Sequence, residues 1–140
     1  MSSGRGNPAH VIHPIDDQHC IDLGLTDKGL PVIIISYQEA PGVQWVSLRI
    51  EAGNRASFFV EDELIEQGTW QGMGTETLRD YVRDLVEDEK LELYIALNEA
   101  VDAGRLTSDQ SRSIRRHVQN TFGFKLEKPD AVLQRTLEHK

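Results

Sequence analysis

At 140 residues, with 39% hydrophobic and 27% charged side chains, the chain has the size and composition of one globular domain that buries its own core. The single cysteine, Cys20, excludes an internal disulfide and fits a reducing compartment, so a cytoplasmic location is expected. No apolar run approaches the ~18 residues that cross a bilayer, and the stretch from Met1 to Pro8 has no apolar segment of the kind a signal peptide needs.

Net charge is −8, unevenly distributed. Residues 1–50 carry 5 acids and 3 bases, residues 51–102 carry 14 and 4, and residues 103–140 carry 4 and 8. Such asymmetry bears on association and solubility rather than on fold. An acidic middle repels phosphate backbones, so direct nucleic-acid binding there is not expected. It suits a basic partner surface, or the chain's own basic C-terminal third.

In chain order, residues 1–18 are small, polar and broken by Pro8 and Pro14, and are expected to form a flexible arm ahead of a single domain over 19–140. Ile21, Leu23 and Leu25 then alternate with polar or small neighbours, the period of a half-buried strand. Thr26 to Gly29 supplies a turn, and Leu30 to Tyr37 is nearly continuous in β-branched residues, as expected of a central strand covered on both faces. Pro41-Gly42 marks the next turn. Val46, Leu48 and Ile50 alternate once more, and a turn at Gly53 to Ala56 leads into Ser57 to Val60. Four strands joined by short turns predict an antiparallel meander.

After a glycine-rich loop, the period changes to that of a helix. From Thr75, the side chains of Leu78, Tyr81, Val82, Leu85 and Val86 share one arc, with acids opposite. Glu87 to Lys90 marks a break, and Leu91 to Val101 is apolar around more than half its circumference, which predicts the most buried helix. Gly104 ends it. Thr107 and Gln110 have the spacing of a capping box for a third helix, with Ile114, Val118 and Phe122 inward. Pro129 opens a short fourth. The expected fold is α+β: a four-stranded antiparallel β-meander followed by three to four α-helices packed on one face.

Three constellations carry chemical interest. His10, His13, His19 and Cys20 combine imidazole and thiol, the donor types of zinc sites, among Asp16, Asp17 and Asp22. Their spacing matches no established site, and a polar arm leading into a strand accounts for them equally. Gly68 to Thr75 has the outline of a phosphate cradle but lacks the P-loop lysine, and Glu76 puts a carboxylate where a phosphate would sit. No cofactor is therefore expected. His117 borders the apolar edge of the third helix, and no serine or cysteine stands in a nucleophile context, so catalysis is not the favoured expectation.

The third constellation is the acidic stretch. Charge complementarity raises association rates, and a solvated helix face needs far less charge than this. The leading expectation is a non-enzymatic module that binds and masks a basic macromolecular partner, in the class of inhibitors, immunity proteins and chaperones. Glu61, Asp62, Glu63, Glu66, Glu76, Asp80, Asp84 and Glu87 would supply the charge, and Trp45 and Trp70 the apolar anchors. Two alternatives stand beside it. One is a small metal-binding domain or enzyme built on the N-terminal His/Cys group. The other is a structural subunit of a homo-oligomer in which Arg112, Arg115 and Arg116 meet a neighbour's acids.

Overall fold

The structure is a computed structural model and describes residues 9–127. Its strands run in chain order as β1 (His10–Asp16), β2 (His19–Leu25), β3 (Pro31–Tyr37), β4 (Val46–Glu51), β5 (Arg55–Val60) and β6 (Glu63–Thr69). They form one antiparallel sheet in sequential order, β1 to β6. Three helices follow: α1 (Glu76–Asp88), α2 (Lys90–Asp102) and α3 (Ser108–Phe122). The α+β class and the meander are as expected. The strand count is not: the sheet has six strands rather than four.

The two extra strands are the sheet's edges, and each hid for a physical reason. β1 occupies part of the stretch expected to be an arm. It contains Pro14, which a sheet tolerates at an edge, and its register slips between Pro14 and Asp16. β6 leaves all seven of its residues exposed, so it has no buried alternation to betray it. It is held instead by the two-residue turn Glu61-Asp62. Glu61 adopts a left-handed φ of 54°, a conformation that costs a side-chain-bearing residue roughly 1–2 kcal/mol. Two hydrogen bonds offset that cost: Glu61 N–H donates to the Trp45 carbonyl at 2.7 Å, and the Glu61 carboxylate accepts from Trp45 N–H at 2.6 Å.

Register places Ile21, Ile35 and Leu48 in one row across the sheet and Leu23, Ile33 and Ile50 in the next, and all six are fully buried. Against this face pack Val82 and Val86 of α1, Leu93, Leu97 and Ala100 of α2, and Ile114 and Val118 of α3. The opposite face carries Ile12, Asp22, Ile34, Arg49 and Ser57 in register, and Ile12 is exposed. The described helices therefore cover one face only, and β3, expected to be covered on both, is sealed by them on the side of Ile33 and Ile35 alone.

Local signals set the helix ends. Thr75 caps α1 by accepting from Leu78 N–H at 3.1 Å. Thr107 and Gln110 close the capping box of α3, whose C-terminal Gly123 takes the left-handed φ of 86° that such a terminus favours. Glu89 separates α1 from α2 at the expected break. The expectation that α2 is the most buried helix fails: Leu91 and Ile95 face outward, while α3 buries Ser111, Ile114, His117, Val118 and Phe122. The fourth helix expected after Pro129 lies outside the described residues.

Candidate functional site

In an antiparallel meander, alternate turns share an end. The β1–β2, β3–β4 and β5–β6 connections therefore gather at one end of this sheet. Residues 17–18, 38–45 and 61–62 make up these connections and, with Asp16 at the end of β1, hold Asp16, Asp17, Glu39, Glu61 and Asp62, with no lysine or arginine among them. Asp17, Glu39, Glu61 and Asp62 are exposed. Lys28 and Arg55 stand on the other side, beside the β2–β3 and β4–β5 turns.

Beside the acidic end, β2, β3 and the start of α1 enclose an open recess of about 640 Å³. Three rings form its wall. Tyr37 meets Tyr81 edge-on with centroids 5.6 Å apart, and His19 stacks on Tyr37 at 6.3 Å. The register brings His19 opposite Tyr37 on the covered face, and α1 presents Tyr81 to both. Tyr37 is buried and Tyr81 is 42% exposed, so Tyr81 offers the accessible ring surface.

A hydrogen-bond chain fixes the imidazole. Asp16 accepts from His19 Nδ1–H at 2.9 Å, which leaves Nε2 to accept from the Tyr81 hydroxyl at 2.7 Å. The hydrogen bond from His19, reinforced by Gln18 N–H, holds the Asp16 carboxyl below its ordinary range, so it stays ionised. Burial pushes both phenols up, Tyr37 further through Glu39 and Tyr81 further through Asp16 and Glu39. At neutral pH the recess is thus lined by neutral phenols and bordered by carboxylates.

The histidine and cysteine group does not converge. His10 bonds Asp22 at 2.8 Å, His13 bonds Glu89 at 2.7 Å, and His19 takes Asp16. Cys20 lies on the uncovered face, where burial and then Asp22 push its thiol up. Among the described residues no three His, Cys, Asp or Glu side chains come together as a metal-binding group. His117 is buried in the core, its Nε2–H donating to the Ile50 carbonyl at 3.0 Å.

The acidic residues named from the sequence divide. Glu61 and Asp62 form the turn at the acidic end, Glu63 follows them, and Glu66 stands further along β6. Glu76, Asp80 and Asp84 are exposed on α1. Glu87 pairs with Arg83 at 2.9 Å, and Arg83 also lies 3.6 Å from Asp84, so part of the α1 charge is already answered. Trp45 is half-buried beside Glu61, whereas Trp70 is a core residue packed edge-on against Phe122 at 5.8 Å and is withdrawn from any docking face. The sequence reading missed Asp16, Asp17, Glu39, Tyr37 and Tyr81 as members of one surface. Turn parity was the signal that could have found them.

The chain matches no protein-family model, no curated protein and no solved structure. Among the described residues no helix is long and apolar enough to cross a membrane.

Proposed function

We propose that this chain is a non-enzymatic interaction module whose acidic end binds and masks a basic surface on a protein partner, as inhibitors, immunity proteins and chaperones do, in the cytoplasm. One observation carries the reading: three sheet connections, with the last residue of β1, bring five carboxylates, and no lysine or arginine, to one end of the domain. Charges on the separate loops of a rigid sheet are pre-organised, so docking orders few side chains. A field of one sign speeds encounter with an opposite patch and repels nucleic acid. On α1 the exposed Asp80 adds a carboxylate next to Tyr81.

The reading is tested by parallel capture from source-cell lysate with the wild-type chain and with the charge-reversed variant Asp17→Lys, Glu39→Lys, Asp62→Lys. All three positions are exposed, so the fold should persist. A basic protein retained by the wild type, released by salt and lost from the variant is the expected result. Equal retention by both chains would sink the proposal.

A further inference from the structure

The recess beside the acidic end has a lining that selects for a particular visitor. Several acceptors stand around the recess, beside the hydroxyls of Thr75 and Thr77. Gln18 donates one side-chain N–H to the Gln38 carbonyl at 3.3 Å, Gln38 donates one of its own to the Val43 carbonyl at 2.8 Å, and both amide oxygens can accept. The Tyr81 hydroxyl is engaged by His19 Nε2 at 2.7 Å. Glu39 lies on the rim, Asp16 stands behind His19, and among the described residues no lysine or arginine lines the space. The start of α1 also borders the recess, and a helix N-terminus on its own favours anions. Here Thr75 caps that terminus by accepting from Leu78 N–H, and Glu76 places a carboxylate in its first turn.

An accessible phenol ring, a second ring set edge-on to it, surrounding acceptors and carboxylates on the rim are the groups that a guanidinium uses. It stacks flat on aromatic faces while its in-plane N–H groups donate to oxygens. We propose that the recess is a socket for one arginine side chain of the basic partner, its guanidinium lying on Tyr81 and donating to Glu39 and to the Gln18 and Gln38 amide oxygens. This inference rests on the docking reading above and names the side chain that reading leaves open. A lysine ammonium is a poorer occupant, because a compact, strongly hydrated charge uses neither the ring face nor the spread of acceptors.

The test titrates the full chain with the peptide Gly-Gly-Arg-Gly-Gly and with its citrulline counterpart, which keeps the shape and loses the charge. Tyr81, Tyr37 and His19 ring resonances are followed by NMR. The expected result is a saturable shift of these rings with arginine and binding weaker by roughly tenfold or more with citrulline. Tyr81→Ala should abolish the arginine response and Tyr81→Phe should keep most of it. Glu39→Gln, at an exposed position that leaves the fold alone, should weaken it. Rings that stay unmoved, or that move equally with citrulline, overturn the socket. An oligo-arginine peptide judges the docking reading separately. If Asp17→Lys and Asp62→Lys, which lie outside the recess, weaken its binding while Tyr81→Ala does not, the acidic end stands and the socket falls. If the two reversals leave oligo-arginine binding unchanged, the docking reading falls, and the socket that rests on it falls too.

Discussion

Helix α2 gives the sharpest check on how the domain is packed, because its composition alone does not say which way it faces. Leu97 is fully buried and Ile95 is 46% exposed, although the two are only two residues apart and similar in size. A two-residue step turns about 200° around a helix, so the structure assigns these side chains to opposite sides. Truncating a fully buried leucine removes its transfer energy and leaves a cavity, a loss of about 2–5 kcal/mol. Truncating a half-exposed isoleucine should cost about 0.5 kcal/mol. With a urea slope of ~2 kcal/mol/M for a domain of this size, Leu97→Ala should lower the unfolding midpoint by about 1–2.5 M and Ile95→Ala by only about 0.3 M. Urea titrations followed by far-UV circular dichroism give both numbers. Equal midpoints, or the reverse order, would mean that α2 shows the sheet a different side and that the described core is wrong.

Gly24→Ala should destabilise by about 1–3 kcal/mol, because an added Cβ would sit 2.6 Å from both the Ala9 carbonyl oxygen and His10 Nδ1. That carbonyl accepts from Leu25 N–H at 2.9 Å, so relief of the clash would loosen the start of β1. Gly68→Ala, where a Cβ meets nothing within 4 Å, is the control and should be close to neutral in the same denaturation assay. Burial holds the His117 imidazole below its ordinary range, so the unfolded chain takes up the proton more readily than the native one. Its contribution is therefore complete above about pH 6.5 and is lost as pH falls through that value and below. His117→Gln should flatten the stability profile between about pH 7 and pH 5, and an unchanged slope would show that His117 does not titrate with folding.

The fold was legible where burial imposes a period. Ile21 and Leu23, like Leu48 and Ile50, alternate with polar or small residues because one face of β2 and β4 is sealed by helices, whereas β3 reads as an unbroken apolar run and only its register shows that Ile33 and Ile35 face the core. Thr75, Thr107, Gln110 and Gly104 mark helix ends through local chemistry alone. The edge strands were not legible for the converse reason. β6 is exposed along its length and β1 carries a proline, so their pairing comes from the neighbouring strand and turn rather than from their own pattern. Missing these two edges also hid the acidic end. Without β1 and β6, the turn holding Asp16 and Asp17 and the turn holding Glu61 and Asp62 are not seen to flank Glu39. Trp70 illustrates a different limit: a tryptophan beside glycines is compatible with a surface anchor or a core plug, and only its packing on Phe122 decides.

The account's central claim is that carboxylates gathered from three loops guide a basic partner onto one end of the domain. It is tested most directly by the association rate of the captured partner, measured by stopped flow at low and at physiological salt. Exposed charges act across a Debye length of about 30 Å at 0.01 M salt and about 8 Å at physiological salt, so steering shows as a rate that falls steeply between the two. The account predicts that steep fall for the wild-type chain, and a slower, nearly salt-independent rate for the Asp17→Lys, Glu39→Lys, Asp62→Lys variant. Identical rates and identical salt slopes for the two chains would contradict it.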